Sequence, residues 1–345
     1  MSHKCHTITA LILLLLPLAA AAQESTSIFN FLNLPTSAHA TALGGKNISL
    51  IEDDASLIFQ NPALMSSVSD KTLNLNFMTY MKGSKTGSVS YVQAQGERGS
   101  WGITTQFVGY GNVPNINTEG IVLGKNGALD MAIGGGYSYM LSDYWVGGVT
   151  GKFLYSNYAG YSSIGLAVDL GLSYFNPDND LSFAFVAANL GGQVKAFGEI
   201  HEKLPIDLQF GISKGLGRWP VRVHVMLYDM LHWDKAYYLS NVSGFRVFLN
   251  HLDLGVDATL FRGRCWVGLG YNFRRATCMV AEGSSNASGI TFGAGINIKR
   301  FKLGLAYGNY HSGAPTIAIT TAYSFQSKKK KPSVPLTDAD KQIQQ

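Results

Sequence analysis

The sequence predicts an all-β fold: a closed antiparallel transmembrane β-barrel of about fourteen strands, with a small N-terminal plug inside the lumen. Three observations predict it. Between residues 72 and 325, large apolar side chains alternate with small or polar ones, which is the period of a strand with two unlike faces. Beyond the N-terminus, no uninterrupted apolar stretch reaches the about 20 residues that a membrane-spanning helix needs. Charged residues make up only 14% of the chain, against roughly 25% in soluble proteins, and 39 residues are glycine.

Residues 1–22 have the order of parts of a secretory signal peptide. Lys4 lies in a short polar start, Ile8–Ala19 is apolar, and Ala20–Ala22 offers a cleavage site before Gln23. The apolar run is too short for a spanning helix, which argues against an uncleaved anchor. We therefore expect export of the chain and removal of these residues.

Residues 23–70 lack the alternation and are rich in small residues and turn signals. A barrel of about fourteen strands encloses a lumen that its own side chains do not fill, so we place this segment inside the barrel as a plug. We expect structural roles for its motif residues, because left-handed turns, helix caps and turn signals explain the residue types. The motif residues are Gly44, Gly45, Asp53, Asp54, Asn61 and Pro62.

The barrel segment, residues 71–326, contains the alternating runs. In one of them Leu166, Val168 and Leu170 alternate with Ala167 and Asp169. The boundaries between residues 206 and 251 are the least defined, and 229–251 has room for a short helix. The runs begin near Thr72, Gly87, Ser100, Ala128, Asp143, Ser163, Leu181, Ile206, Val221, Leu252, Cys265, Ser288, Phe301 and Thr316.

Short and long connections alternate along the barrel segment. Outer-membrane barrels have short periplasmic turns and longer external loops, so we expect the first and the last strand to have their chain ends in the periplasm. A soluble β-sandwich would also alternate, but it would not explain this order or the aromatic residues near strand ends, such as Tyr137, Tyr271 and Phe325. The short turns are Gly96–Gly99, Leu141–Ser142, Asn176–Asp180, Arg262–Gly263 and Lys299–Arg300, and the long connections lie near 110–127, 191–205, 229–251 and 274–287.

The tail after the last strand, residues 327–345, is basic. Lys328–Lys331 supply four cations toward a net charge of +5, and such a run usually marks a solvated segment. Cys265 and Cys278 fall at the two ends of one predicted strand region, roughly 40 Å apart if extended, so we expect no disulfide between them.

The motifs of enzymes and of cofactor, metal and nucleic-acid binding are absent from the sequence. We therefore expect a protein that is not an enzyme, carries no cofactor or metal and binds no nucleic acid. Polar residues within the alternating runs are explained by a lumen position, because barrel interiors tolerate charge. Those residues include Asp169, Asp257 and, in a lumen or loop position, Arg222 and His224.

The string Ser37–Gly45, followed by Asp53–Ala55 and Asn61–Leu64, resembles the N-terminal signature of the FadL-like outer-membrane proteins. Those proteins are fourteen-stranded barrels with an N-terminal hatch. Within that superfamily the chain is similar to the PorV/PorQ family of the type IX secretion system of Bacteroidetes, and the similarity covers most of the chain after the signal peptide. The strings that carry this second similarity are Phe31–Ala38, Ser213–Leu216, Trp233-Asp234, Asn250–Gly255 and Gly268–Arg275.

The resemblance implies a place in the cell-surface attachment complex with PorU, PorV and PorZ, in which the chain would hold PorZ at the outer membrane. Membrane lipid is the other expected partner. The long connections 191–205, 229–251 and 274–287 are the candidates for the docking face, and 229–251 holds apolar and aromatic side chains suited to an interface. Transport of fatty acids or other hydrophobic molecules, as in other members of the superfamily, stays open, and a general porin is a weaker alternative because of the plug. The candidate docking residues are Met230, Leu231, Trp233, Tyr237 and Tyr238.

Overall fold

The computed structural model describes most of the chain between residues 27 and 325. The described ranges are 27–80, 83–116, 122–217, 219–233, 243–278, 286–311 and 314–325. The signal peptide expected over residues 1–22 and the basic tail expected over 327–345 lie outside these ranges.

The described residues form a closed barrel of fourteen antiparallel strands, which confirms the predicted fold class. Each strand pairs with its neighbours in sequence, and β1 pairs with β14 to close the sheet. The strands are β1 (Thr72–Thr79), β2 (Lys85–Gln95), β3 (Gly99–Ile116), β4 (Val122–Met140), β5 (Trp145–Tyr158), β6 (Tyr161–Asn176), β7 (Leu181–Lys195), β8 (Asp207–Gly215), β9 (Val221–Leu227), β10 (Leu252–Leu260), β11 (Cys265–Asn272), β12 (Ile290–Ile298), β13 (Phe301–His311) and β14 (Ala314–Ser324).

Closure is what allows this chain to cross a lipid bilayer. In lipid every backbone N–H and C=O must find a partner within the protein, and a closed barrel has no free edge. The seam runs in continuous register from Thr72 opposite Ser324 to Met78 opposite Ala318. Within the described ranges, no helix is long and apolar enough to cross a membrane.

The two faces of the sheet separate as the alternation predicts. In β6, Leu166 and Leu170 are exposed on the outer face, whereas Ala167, Asp169 and Ser173 are buried on the inner face. Leucine, isoleucine, phenylalanine and valine dominate the exposed positions along the other strands as well. The outer face is therefore a band of apolar side chains suited to lipid, and the chain is an outer-membrane barrel.

The two ends of the barrel differ in their connections. At one end, the turn end, the strands join over residues 96–98, 141–144, 177–180, 216–220, 261–264 and 299–300. At the other end, the loop end, the connections 228–251 and 273–289 carry two helices, α2 (Gly244–Asn250) and α3 (Phe273–Cys278). The helix α2 lies where a short helix was expected, and α3 had no counterpart in the sequence prediction. Cys265, at the turn end of β11, is a free cysteine.

One long connection was predicted wrongly, and a second is present but begins later than predicted, at residue 196. The range 110–127 is mostly strand, because β3 continues to Ile116 and β4 begins at Val122, and β7 extends to Lys195 in the range 191–205. Beyond the apolar band the outer face does not contact lipid. The alternation of apolar and polar side chains therefore ends there, although the backbone pairing of the strands continues. Two irregularities, at Gly109/Gly111 and Asn115/Ile116, mark that extension.

The barrel is therefore taller on one side. Strands β3–β7, here the tall wall, have 14 to 19 residues each. Strands β8–β12, here the low wall, have 7 to 9 residues each. The low wall is extended at the loop end by the connections that contain α2 and α3.

Residues 27–70 form the plug, which packs against the inner face of the barrel. Its α-helix is α1 (Ala38–Ala42), and its 3-10 helices are Asn30–Asn33, Ala55–Phe59 and Pro62–Ser67. Side chains such as Leu43, Leu57 and Leu64 are completely or almost completely buried. Glycine in the wall lets the plug backbone approach: a Cβ on Gly148 would lie 2.4 Å from the backbone nitrogen of Ala63. The lumen is filled by the plug, as expected from the size of the barrel.

Candidate functional site

The Gly44–Gly45 turn of the plug is held by residues from the loop end. Both glycines have positive φ, 104° and 108°, and the Gly45 N–H donates to the Ala40 carbonyl to close α1. The Arg275 guanidinium donates to the Gly44 carbonyl at 2.5 Å and lies over the Tyr310 ring. Because Arg275 belongs to α3, this contact ties the loop-end connection 273–289 directly to the plug.

The acidic and amide residues of the plug motif fix its helices. Asp54 accepts from the Ser56 N–H at 2.9 Å and begins the 3-10 helix Ala55–Phe59. Asn61 caps the helix that begins at Pro62. These are local contacts of the kind that helix N-termini require.

Asp53 makes a different contact from its neighbour. Its carboxylate accepts from the N–H and hydroxyl of Ser69 and forms an ion pair with Lys302 at 2.7 Å. It caps no helix, and instead joins the end of the plug to β13. The motif thus supports both the plug's own fold and its attachment to the wall.

A buried charged network joins the plug to the low wall. At its centre Asp257 of β10 accepts from Arg222 at 2.6 Å and contacts His224 at 3.1 Å. His39 of α1 lies 3.2 Å from the same carboxylate and 2.6 Å from Glu52, and its ring stacks on Trp266 at 3.9 Å. The network is defined by these six residues and is called the low-wall network below.

The charge on the plug side of the low-wall network follows from its geometry. Burial alone would lower the pKa of His39, but the carboxylates of Glu52 and Asp257 outweigh it and raise that pKa to about 9. Burial would raise the pKa of Glu52, but the charge and hydrogen bond of His39 lower it overall. The plug is therefore held to the wall by an imidazolium between two carboxylates.

The lumen positions predicted for Asp257 and Asp169 are confirmed, and of the lumen or loop position expected for His224 and Arg222 the structure shows the lumen. Asp257 and His224 are 1% exposed, and Asp169 forms an ion pair with Lys152 at 2.5 Å. The part that His39 plays was not predicted, because its two partners come from β10 and from a turn 13 residues away. The one signal in the sequence was a histidine inside the small-residue string Ser37–Gly45.

Two small cavities with both apolar and polar lining residues lie beside the plug. A cavity of about 40 Å³ lies between the plug and the tall wall, and Gln106, Lys152, Asn189 and Lys46 are among its lining residues. A second cavity, of about 30 Å³, lies beside His39 and Lys302. Pockets for organic ligands usually measure ~300–1,000 Å³, and one water molecule needs ~10–15 Å³. In this conformation each of the two cavities has room for about two to four waters.

The docking residues predicted in 229–251 fall partly within the described structure. Met230 and Leu231 are half-buried, and Trp233 is 48% exposed, donates to the Met230 carbonyl and packs on His251. Tyr237 and Tyr238 lie outside the described residues. The structure adds two aromatic side chains that the sequence interpretation did not select, Phe245 at 71% and Phe248 at 42% exposure on α2.

These two phenylalanines have a local cause and a signal that was available in the sequence. Val247 and Asn250 occupy the buried side of α2, which leaves Phe245 and Phe248 on its outer side. A helical spacing of apolar residues in 244–250 would have pointed to them. Among the described residues, no group of three or more His, Cys, Asp or Glu side chains is placed to hold a metal ion.

No protein-family model matches this chain, and no curated protein matches it. Solved structures do. The Pseudomonas putida toluene transporter TodX is 15% identical, with a TM-score of 0.51 over 86% of this chain and 99% of that chain. The monoaromatic hydrocarbon channel CymD is 12% identical, with a TM-score of 0.52 over 86% and 99%.

A Pseudomonas aeruginosa FadL homologue is 11% identical over 84% of this chain and 98% of that chain, with a TM-score of 0.49. At such identities the likeness concerns the fold alone. Strand number, closure and the overlap with TodX and CymD agree with what the FadL-like signature of the sequence implies. The fold of this chain is therefore that of TodX and CymD.

Proposed function

We propose that this chain is a membrane anchor and docking protein, in which a sealed barrel fixes a surface partner to the outer membrane. The observation that carries the proposal is the plug inside the lumen: the two cavities beside it measure about 40 and 30 Å³, each too small for a hydrophobic substrate. Exposed aromatic groups collect instead at the loop end, on Trp233, Phe245 and Phe248. Buried aromatic anchors supply much of the affinity of protein interfaces.

The sequence resemblance gives this proposal its biological form. PorQ is the member of the PorV/PorQ family that the quoted strings resemble most, and it implies type IX secretion. The chain would then hold PorZ in the attachment complex with PorU and PorV. The loop end would face the outside, and the turn end with both chain termini would face the periplasm, as the order of short and long connections predicts.

The test is the triple substitution W233A/F245A/F248A in the chromosomal copy, with surface retention of PorZ as the measurement. Loss of even one strong anchor costs about 2 kcal/mol or more, so we expect at least a tenfold loss of PorZ that co-purifies with the barrel. The matched control is Y161A/I200A, which removes exposed apolar groups from the start of β6 and from the connection after β7. Heat-modifiable migration of the barrel checks assembly in each variant. Full retention of PorZ by the assembled triple variant would contradict the proposal for this surface.

A second candidate function is passage of hydrophobic molecules through the barrel. The similar solved structures support this function more than they support a role in secretion. TodX is a toluene transporter and CymD a monoaromatic hydrocarbon channel, and this chain has their fold. With the plug as described, such transport requires the plug to move, since neither of the two cavities beside it has room for the substrate.

A reversible lock on the plug separates the two candidates. A Cβ on Gly268 would lie 3.4 Å from the Ala42 Cβ, close to the ~3.5–4.5 Å separation in disulfides. In a background without Cys265 and Cys278, oxidation of A42C/G268C should stop uptake of labelled fatty acid or toluene if the chain is a transporter, and reduction should restore it. The single variant A42C is the control. A docking protein retains PorZ equally in the locked and unlocked forms and shows no uptake in either.

A further inference from the structure

Three neighbouring turns of the low wall form one continuous surface at the turn end. They are residues 216–220, 261–264 and 299–300, and backbone hydrogen bonds join the first two of them to the strands that lead into the next turn. The Thr259 N–H donates to the Pro220 carbonyl at 2.8 Å, and the Asn297 N–H donates to the Arg264 carbonyl at 2.7 Å. This surface is called the basic rim below.

The basic rim carries unbalanced positive charge. Arg262, Arg264, Lys299 and Arg300 are all exposed, and none of these four takes part in an ion pair within the described ranges of the chain. None of the three turns contains an acidic residue. The tall-wall turns 96–98, 141–144 and 177–180 have the opposite balance, with four carboxylates and one arginine. The turn end is therefore basic on one side and acidic on the other.

Two large aromatic side chains project from the same surface. Trp219 is 72% exposed and Phe261 is 74% exposed. Phe261 and Arg262 both have positive φ, 52° and 57°, a conformation that asparagine or glycine adopts more readily than a bulky side chain. The turn thus has an aromatic residue and a cationic residue at its tip, where glycine, asparagine or aspartate is the usual residue.

The height of the basic rim relative to the membrane follows from the strands beneath it. Ile298 and Phe301, the last outward residues before and after turn 299–300, are 60% and 50% exposed on the lipid-facing side. The turns begin where that apolar band ends, which is the level of lipid headgroups. Aromatic rings settle at this level, and cations there attract anionic headgroups.

We propose that the basic rim binds anionic phospholipid, with Arg262, Arg264, Lys299 and Arg300 contacting headgroup phosphates and Trp219 and Phe261 in the interface. The inference is independent of the function proposed above, since it concerns only how the barrel sits in its leaflet. An asymmetric rim of this kind fixes a preferred lipid on the low-wall side of the barrel. An acidic protein surface could meet the same charges, and the experiment separates it from lipid.

The test uses the full-length protein purified from membranes, exchanged into detergent with equal amounts of phosphatidylglycerol and phosphatidylethanolamine. Native mass spectrometry counts the lipids that remain bound. We expect the wild type to retain phosphatidylglycerol at least about tenfold over phosphatidylethanolamine, falling as salt rises. The variant R262Q/R264Q/K299Q/R300Q should lose that preference.

The matched control is K85Q/R98Q/K195Q/R246Q, which removes the same number of exposed cations from scattered positions. It should keep the wild-type preference. Because all eight positions are exposed, heat-modifiable migration should be unchanged in both variants. Equal retention of the two lipids by the wild type would overturn the proposal. It would leave an acidic protein surface as the partner of the basic rim. An unchanged preference in the rim variant, or an equal loss in the control, would also overturn it.

Discussion

The tall wall and the low wall hold the same plug by different means. On the tall-wall side the 3-10 helix Pro62–Ser67 rests on β4, β5 and β6, where glycines such as Gly148 and Gly171 let backbone meet backbone. On the low-wall side the plug reaches the network around Asp257 through His39. Glycine admits the plug on the low-wall side as well, since a Cβ on Gly270 would lie 2.2 Å from the Gly44 nitrogen. The comparison teaches that a close steric fit is common to both walls, and that the low wall adds a buried ion pair to it.

The largest expected effect comes from breaking the charged contact. In Asp257→Asn, Arg222, His39 and His224 lose a shared carboxylate in a buried site, and removing one partner of a buried ion pair costs about 3–5 kcal/mol. We expect rapid cleavage of the plug by added protease, measured on purified barrels. The matched variant is Asp169→Asn, which breaks a buried ion pair with Lys152 inside the tall wall. If both variants expose the plug equally, the low-wall network has no special part in holding it.

The charge of His39 gives a pH test of the same contact. A pKa raised from 6.5 to about 9 adds stability that is fully present below pH 6.5 and is lost as pH rises through about 9. The loss should amount to no more than about 3 kcal/mol, at 1.36 kcal/mol for each unit of pKa. Protease exposure of the plug should therefore increase between pH 7 and 9.5.

The variant His39→Gln is the control for that pH dependence. It keeps a polar side chain at the position but cannot carry the charge, so the slope between pH 7 and 9.5 should disappear while exposure at pH 9.5 stays similar to the wild type. A slope of unchanged size in this variant would mean that another group titrates.

The steric contact is tested at Gly148, with a smaller expected effect. A Cβ there meets the backbone of Pro62 and Ala63 at 2.4 Å, and neither can move without shifting the plug. Gly148→Val should cost about 1–3 kcal/mol by overpacking, read as a lower unfolding temperature. Gly151→Val is the control on the same strand, because nothing lies within 4 Å of a Cβ at Gly151. Similar losses in both variants would point to strand propensity and not to the plug.

The sequence predicted the strands well and the long connections less well. The runs expected at Thr72, Leu181, Val221, Leu252 and Phe301 begin where β1, β7, β9, β10 and β13 begin. These strand starts could be predicted because the apolar alternation begins there, directly after a turn at the turn end or after a connection without alternation at the loop end. The end of β3 and the start of β4 were not, since alternation reports contact with lipid and these strands continue past it.

The candidate site was predictable only in its parts. Gly44, Gly45, Asp54 and Asn61 could be selected because turns and caps depend on neighbours in the chain. Phe245 and Phe248 were passed over because part of 229–251 was treated as a loop without a helical face. Neither route could find the contacts of Arg275 with Gly44, since 231 residues separate them.

By itself the sequence determined the class of solvent and the class of fold. The side chains alternate with a period of two and form one apolar face, charged residues are few, and the sequence predicts no long apolar helix. A closed barrel in lipid is the fold that is consistent with all three observations. Only the tertiary structure decided which inward residues meet, how much lumen remains and where charge gathers on the rim. Those properties depend on barrel closure, which brings together residues hundreds of positions apart. A local sequence pattern carries no information on contacts between residues so far apart in the chain. The two faces of a strand, by contrast, can be identified from about ten consecutive residues.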